Sequence, residues 1–454
     1  MTKVDVAGFI SGTRFNRFHF WMLFWSCLIV VFDMYDLVVF GAVLPVLMQD
    51  WGMTPVQAGA IGSAGLVGMM IGAIVFGSLA DRFGRRNILT FSVALFSAAT
   101  VLCGFAGDPT SFTVFRFIAG LGIGGILPSV IAMVTDYAPK GMASTFVGII
   151  MSAFSVGGIL APLVAMNLIP AFGWQSVYWV AAIPLVLLPF MVRYFADAPA
   201  TLLATGRQDV LRGFLDRLAP GARLPQDAQL EVVQEEKPTG APIVELFRNG
   251  RALGTVMIWI AFFMCLLMVN GLSTWLPKLM VESGYALDSS LTFSIVMNVG
   301  AIIGTMVLGK AADSWGVKKV LVPMYVVSAI ALTLLGFGNG FALLLALAFV
   351  TGATTMGSQN ISYSFVSQYY PSSIRSTAIG LASGVGRLGA IFGPTFGGLM
   401  LSTDLPIEAS FVAFAVPGIF AAVAFLFVPI ARGAGKSTPP AAAPGQDRTP
   451  VSTA

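Results

Sequence analysis

Residues 77–86 read GSLADRFGRR, and residues 309–319 read GKAADSWGVKK. Each stretch has a glycine, an aspartate four positions later, a second glycine three positions beyond, and a basic residue two positions after that. The two stretches lie 232 positions apart (309 − 77). The same offset relates five further pairs: Pro45/Pro277, Gly120/Gly352, Pro139/Pro371, Gly148/Gly380 and Pro162/Pro394. The chain therefore contains two copies of one unit, a pattern typical of transporters built from repeated halves.

The composition indicates an integral membrane protein. Hydrophobic residues make up 57% of the chain and charged residues only 10%, whereas a soluble domain has about 25% charged residues. Twelve apolar stretches reach the roughly 20 residues that a membrane helix needs. They lie at 20–48, 57–80, 87–107, 111–135, 143–169, 174–196, 252–277, 289–312, 318–337, 340–365, 376–401 and 410–431. The sequence thus predicts an all-α membrane protein with twelve transmembrane helices in two pseudo-symmetric six-helix bundles.

Four segments follow from this pattern. We expect a first bundle over 1–196, a polar cytoplasmic linker over 197–247, a second bundle over 248–431, and a disordered Pro/Ala-rich tail over 432–454. Basic residues are strongly one-sided if both termini lie in the cytoplasm. Of the 25 Lys and Arg residues, two lie within spans, Lys278 lies in an outer loop, and the other 22 lie on the inner side. The positive-inside rule then predicts a multi-pass protein of the inner (plasma) membrane with cytoplasmic termini.

Four charged residues interrupt the apolar spans: Asp33, Asp36, Arg116 and Arg387. Their positions in the other repeat hold uncharged residues, namely Cys265, Met268, Ala348 and Ser155. A charge at the centre of a membrane helix costs about 2.5–3.5 kcal/mol on insertion scales. Because these charges are not shared by both repeats, they favour a function in transport over a role in the common scaffold.

Chemistry separates the roles of these four residues. Asp33 and Asp36 are three positions apart and share one helix face, so we expect them to line the central pathway. A carboxyl group tuned by Arg116 suits proton coupling. Arg387 stays charged and has a planar fork that matches carboxylates, so it is our candidate for the anchor of an acidic substrate.

The motifs also carry a resemblance. GSLADRFGRR resembles the signature loop of the major facilitator superfamily, and RFIAGLGIGG from Arg116 resembles its fourth-helix motif. FDMYDL, at residues 32–37, resembles the first-helix signature of the aromatic acid:proton symporter family, with Met34 where that family usually has Gly. The resemblance covers essentially the whole chain. It implies import of an aromatic carboxylate, benzoate or a hydroxybenzoate, together with protons by alternating access.

Two further sets of residues follow. The predicted substrate pocket adds aromatic and amide side chains to Arg387: Tyr35, Asn270, Trp275, Asn298, Gln359, Asn360 and Tyr363. The predicted inner gate comprises residues at the cytoplasmic ends of helices: Gly77, Asp81, Arg82, Arg85, Asp136, Asp313 and Arg375. We expect Asp81 and its repeat counterpart Asp313 to hold the gate closed in the outward-facing state.

Alternatives remain within and outside transport. A proton symporter for another small organic acid, such as nicotinate, shikimate or muconate, would use the same features. A membrane enzyme is disfavoured because the single histidine lies at a helix end and the sequence shows no nucleophile–base pair or metal-ligand spacing. A transporter-like sensor is disfavoured because the chain has only a linker and a short tail. We expect no metal or cofactor, no nucleic-acid partner, and a monomer in the lipid bilayer.

Overall fold

The computed structural model describes residues 3–204, 206–218, 229–231, 242–248, 250–338, 340–403 and 405–429. The predicted tail over 432–454 lies outside these residues, as does much of the predicted linker. The helices of the first half are α1 (Val6–Ser11), α2 (Arg17–Trp51), α3 (Pro55–Phe83), α4 (Arg85–Cys103), α5 (Pro109–Gly124), α6 (Ile126–Asp136), α7 (Ala143–Phe172), α8 (Gln175–Trp179) and α9 (Ala182–Val192). Three short linker helices follow: α10 (Pro199–Ala204), α11 (Gln208–Leu218) and α12 (Pro242–Glu245). The second half contains α13 (Ala252–Glu282), α14 (Leu287–Trp315), α15 (Val317–Phe337), α16 (Phe341–Tyr369), α17 (Ser372–Leu401) and α18 (Ile407–Phe427).

The predicted all-α membrane fold is confirmed. Eleven helical segments of the described chain are long and apolar enough to cross a membrane, and the 30-residue α17 occupies the position of the remaining predicted span. Two predicted spans are each divided between two helices, α5 with α6 and α8 with α9. The two three-residue strands β1 (Lys3–Asp5) and β2 (Gln229–Glu231) pair in parallel, which the sequence did not predict.

Local sequence signals determine where the long helices begin and end. Asn16 accepts hydrogen bonds from the backbone N–H groups of Phe18 and His19, while the His19 ring bonds back to Asn16. This capping box begins α2, and Gly52 ends it in a left-handed conformation at φ 58°. Asp108 begins α5 in a similar way. Hydrogen bonds donated by Ser111 and Thr110 hold the pKa of Asp108 below its usual value.

The helix contacts repeat between the halves. In the first half α2 packs on α7 and α3 on α5; in the second, the corresponding pairs are α13 on α17 and α14 on α16. Between the halves, α3 packs on α17 and α7 packs on α14. The 232-position repeat relates α3 to α14 and α7 to α17, so it converts each of these seams into the other. It also relates α2 to α13, so the contact between these two helices is equivalent to itself. The packing therefore has the pseudo-twofold symmetry that the duplication predicts.

Of the linker helices, α11 packs on the first half, whereas α12 packs on α17 of the second half. The apolar face of α11 is buried, and its Phe214 ring lies 6.4 Å from the Phe18 ring of α2. The side chain of Asn16 donates a hydrogen bond to the carbonyl of Leu218. The chain therefore leaves the first bundle through a segment that is packed against the start of α2.

Candidate functional site

Asp36 and Arg116 form a buried ion pair inside the first half. Arg116 Nη1 on α5 lies 2.8 Å from Asp36 Oδ2 on α2 and donates a second hydrogen bond to the Asp36 carbonyl at 3.1 Å. The hydroxyl of Thr100 on α4 donates to Asp36 Oδ1 at 2.7 Å. The guanidinium also lies 5.5 Å from the centre of the Phe40 ring. Both oxygens of Asp36 are therefore satisfied, and the pair joins α2, α4 and α5.

Asp33 lies one helical turn earlier and has a different environment. Its side chain is 0% exposed, and neither carboxylate oxygen has a hydrogen-bond partner among the described residues. Two charged groups act on it electrostatically: Asp36 on its own helix and Arg387 on α17. The Nη1 atom of Arg387 is also buried without a hydrogen-bond partner in the described chain. A buried acceptor in one half and a buried donor in the other therefore both have unused hydrogen-bonding capacity, and their charges act on each other.

The sequence predicted that Asp33, Asp36 and Arg116 act together in proton coupling, but the structure gives the two acids different partners. Arg116 was expected to tune Asp33 or Asp36, and in the described part of the chain it bonds to Asp36 and not to Asp33. Arg387 supplies the positive charge near Asp33 instead. The physical reason is that α5 lies in the same half as α2, whereas α17 lies in the other half and meets the first half at its seam with α3. Partner choice depends on this packing and cannot be read from spacing along α2.

Tyr363 is the predicted pocket residue that the structure brings close to Arg387. The two side chains interact electrostatically, and the Tyr363 hydroxyl donates to Ser383 Oγ at 3.3 Å. Its ring stands edge-on to Phe262, with centroids 5.0 Å apart. The region around Arg387 therefore has an aromatic wall with a hydroxyl at its edge.

The predicted amide residues are more dispersed. Asn298 is buried, donates to the Ser294 carbonyl at 2.9 Å, and lies against Gly158 of the other half. Asn270 donates to the Leu266 carbonyl on its own helix at 3.0 Å. Asn360 is exposed and donates to Thr305 Oγ1 at 3.1 Å, and Gln359 is half-buried. Asn298 is the member of this set that lies at the interface between halves.

Tyr35 and Trp275 brace helices in this conformation. The Tyr35 hydroxyl donates to the Val177 carbonyl at 2.7 Å, and Trp275 Nε1 donates to the Pro394 carbonyl at 2.8 Å. Both side chains are 0% exposed. The expectation that their rings line an accessible pocket is therefore corrected for this conformation, because neither ring has an exposed face on which a ligand could stack.

Two predicted gate residues form an ion pair in the described part of the chain. A further acid, Asp197, lies near the same loop and was not among the predicted gate residues. Arg85 Nη1 lies 2.5 Å from Asp136 Oδ2, so these two predicted gate residues meet. The carboxylate of Asp197 accepts a hydrogen bond from the Arg86 N–H at 2.8 Å and lies 3.7 Å from Arg207 Nη1. The signal was an acid directly after the sixth span, in the stretch DAPATLLATGR.

The remaining predicted gate residues are exposed or have side chains outside the described residues. Gly77, Asp313 and Arg375 are exposed. The side chains of Asp81 and Arg82 lie outside the described residues, so their predicted contacts are not placed. The loop glycine Gly84 has a φ of 90°, and a Cβ there would lie 2.7 Å from Asp197 Oδ1. A glycine is therefore required where the loop passes the Asp197 carboxylate.

The two ends of the seam between halves differ sharply. At the end where α2 finishes, Ser63 Oγ lies 2.7 Å from Thr395 Oγ1, and Cβ atoms added to Gly59 or Gly398 would collide with backbone of the other half. At the opposite end four glycines face open space, with no atom within 4 Å of an added Cβ: Gly77, Gly148, Gly309 and Gly380. These form two pairs related by the 232-position repeat. The seam is therefore closely packed at the end where α2 finishes, and these four glycines are uncovered at the end that carries the basic loops.

Comparisons with known proteins agree with this architecture. The family model described as Major Facilitator Superfamily matches residues 26–304 and 290–453. The chain is 37% identical over 432 residues to the benzoate transport protein of Acinetobacter baylyi, covering 94% of this chain and 93% of that protein. It is 34% identical over 403 residues to the gentisate transporter of Corynebacterium glutamicum, covering 87% of this chain and 84% of that protein.

A solved structure supports the same fold. The xylose transporter XylE from E. coli, in a partially occluded inward open conformation, matches with a TM-score of 0.72 at 20% identity. The match covers 92% of this chain and 99% of that one. The shared architecture extends over nearly the entire length of both chains.

Proposed function

Because this chain belongs to the Major Facilitator Superfamily, we propose that it is a proton-coupled symporter that imports an aromatic carboxylate, benzoate or a hydroxybenzoate, by alternating access. The observation that carries the proposal is that Asp33 and Arg387, from different halves, act on each other electrostatically while each has a buried atom with an unused hydrogen bond. The names of two relatives, a benzoate and a gentisate transporter, support the substrate class.

Arg387 binds the substrate carboxylate in this proposal. Its guanidinium donates in a fixed fork that matches the two oxygens of a carboxylate. Because Nη1 lacks a partner in the described chain, an incoming carboxylate gains a hydrogen bond without breaking one. Tyr363 and Phe262 form the aromatic wall beside it, and Asn298 lies at the same interface.

Asp33 carries the proton. The four intramembrane charges, Asp33, Asp36, Arg116 and Arg387, sum to zero when all are ionised. A monocarboxylate that enters alone leaves the site with a net charge of −1, which is unfavourable at low dielectric constant. One proton on Asp33 restores neutrality. Asp36 is unsuited to this step because Arg116 and Thr100 already stabilise its charged form.

The open end of the seam is the cytoplasmic end in this proposal, because the basic loops lie there. The protein is then inward-facing, with both termini in the cytoplasm of a cell whose inner membrane it spans as a monomer. Closing the gate brings the predicted gate set together, with Asp81 and Asp313 in equivalent roles. A reporter fused at Asp209 is expected in the cytoplasm and a tag inserted near residue 404 outside; the opposite placement of either would reverse the orientation.

Uptake into proteoliposomes tests the function. We expect labelled benzoate or 4-hydroxybenzoate to accumulate against its gradient when the outside is acidic, and to stop accumulating when a protonophore collapses the pH gradient. Nicotinate, shikimate, muconate and benzamide complete the panel. The three acids are included because Arg387 recognises only the carboxylate and not the rest of the substrate, and benzamide is included because it lacks the carboxylate. Accumulation of a non-aromatic acid alone would move the assignment to another organic acid. Accumulation that ignores the pH gradient would remove proton coupling.

A further inference from the structure

A cavity of about 270 Å³ opens on the outer surface of the first half, between the start of α2 and the end of α9. It is lined by Trp21, Trp25, Pro189, Phe190, Arg193 and Tyr194. It lies apart from the Asp33–Arg387 site, since α2 contributes its first turns here and its middle there. Nothing in the transport mechanism uses this cavity.

The walls of the cavity are aromatic and face the membrane. The Trp21 ring lies 6.2 Å from Trp25 and 6.1 Å from Tyr194, measured between centroids. Phe190 is 63% exposed, and it belongs to a segment that is apolar enough to span the bilayer. Such a surface contacts acyl chains, and Trp and Tyr are typical of the level of the lipid headgroups.

Two polar features are not explained by an aromatic belt. Arg193, which is exposed, is the one charged residue among the described residues that line the cavity. The indole N–H of Trp25 is buried and has no hydrogen-bond partner in the described chain. A buried donor without a partner is unfavourable by about 1–3 kcal/mol, and both groups are hydrogen-bond donors for which a phosphate oxygen is a suitable acceptor.

Further positive charge surrounds the opening. Arg217 of α11 donates a hydrogen bond from Nη1 to the Arg193 carbonyl at 3.3 Å. Arg17 lies one turn before Trp21 on the same face of α2, and it is exposed. No acidic side chain is among the described lining residues. The charge therefore complements a phosphate group, for which arginine is well suited.

We propose that this cavity binds the headgroup of an anionic phospholipid of the cytoplasmic leaflet, with the phosphate at Arg193 and the Trp25 N–H and an acyl chain along Phe190 and Trp21. The leaflet assignment rests on the orientation in the proposed function. The binding itself does not, because it requires neither transport nor a pH gradient. Failure of uptake and failure of lipid binding are therefore separate results.

The test uses full-length protein in detergent and native mass spectrometry with phosphatidylglycerol and phosphatidylcholine of equal chain length. The wild type should retain phosphatidylglycerol in preference. Arg193→Gln should weaken that binding roughly fivefold, as expected for one arginine at an anionic surface. Arg248→Gln removes an exposed arginine of the second half and is the matched charge control. Equal effects of the two variants, or equal retention of the two lipids by the wild type, would overturn the proposal.

Trp25→Phe tests the indole N–H while keeping an aromatic ring. It should lower phosphatidylglycerol binding, whereas Trp315→Phe, at a 71% exposed tryptophan of the second half, should not. Each variant is checked first for an unchanged Tm. Competition by inorganic phosphate or by benzoate at the concentration of the lipid would contradict a lipid site and indicate a site for a soluble anion.

Discussion

Asp33 and Asp36 lie one turn apart on the same helix, yet the protein treats them differently. Asp36 has a donor for each oxygen, from Arg116 and Thr100 of its own half. Asp33 has none among the described residues, and the positive charge that acts on it belongs to Arg387 of the other half. A buried carboxylate can thus stabilise the packing of helices or serve as a reactive group. The first role fits a carboxylate whose partners lie in its own half, and the second fits one whose partner lies across the interface between the halves.

The largest effect is expected at the satisfied carboxylate. Asp36→Asn leaves Arg116 buried without its counter-charge, and breaking a buried ion pair in this way costs about 3–5 kcal/mol. We expect a large fall in Tm and in the yield of folded protein. The double variant Asp36→Asn/Arg116→Gln should recover part of the loss, since it leaves no unpaired charge. Equal stability of Asp36→Asn and the wild type would contradict the structural role of the pair.

Asp33→Asn should abolish proton-coupled transport and leave the stability of the protein intact, in contrast to Asp36→Asn. Because no described hydrogen bond is lost, Tm should stay the same or rise, while uphill uptake driven by a pH gradient should disappear. Counterflow exchange of substrate without a gradient is the control, and it should persist. Undiminished accumulation in folded Asp33→Asn protein would remove this residue from proton coupling.

Arg387→Lys sharpens the comparison from the other side of the seam. The charge stays but the fork is lost, so one charge-assisted hydrogen bond to the carboxylate is missing, which corresponds to roughly a tenfold loss of benzoate affinity. Binding of benzamide should hardly change. Calorimetry on the solubilised protein measures both ligands. Equal losses for acid and amide would make Arg387 a structural residue and move the anchor elsewhere.

Asp197 offers a second satisfied carboxylate, outside the spans, and the smallest expected effect. Its oxygen accepts the Arg86 N–H at the start of α4, so Asp197→Ala should destabilise the fold by about 1 kcal/mol, as for a lost helix cap. Thermal unfolding at two salt concentrations measures this loss. Asp209→Ala, an exposed linker change, serves as the control. No difference between the two variants would rule out a capping role.

The sequence was sufficient for the architecture, because duplication and hydropathy act over many residues. The 232-position offset predicted two pseudo-symmetric halves, and the helix contacts repeat between the halves accordingly. The midspan charges were also identifiable, since a lone Asp or Arg among apolar residues is conspicuous. These are properties of composition and period, and they do not depend on how neighbouring helices are rotated.

Pairing within the site was not predictable from the sequence. Arg116 lies 80 positions from Asp36 and Arg387 lies 354 positions from Asp33, and only helix packing decides which arginine reaches which acid. The burial of Tyr35 and Trp275 was missed for the same reason, because an aromatic residue in a span can face a pathway or a neighbouring helix. Asp197 was overlooked because an acid after a span is ordinary in a polar linker, and the backbone N–H of Arg86 that it binds cannot be identified from residue types.

During synthesis, Asp36 and Asp33 gain their positively charged partners at different times. Arg116 emerges from the ribosome with the fourth span, so Asp36 can be neutralised while the first half is still being assembled. Arg387 follows Asp33 by 354 residues, which takes roughly 20–70 s at 5–20 residues per second. For that time the first bundle lacks the counter-charge of Arg387, and the neutral, protonated form of the Asp33 carboxyl is the one that an apolar membrane favours. The proton that Asp33 carries in transport is then also the proton that lets the first half wait for the eleventh span.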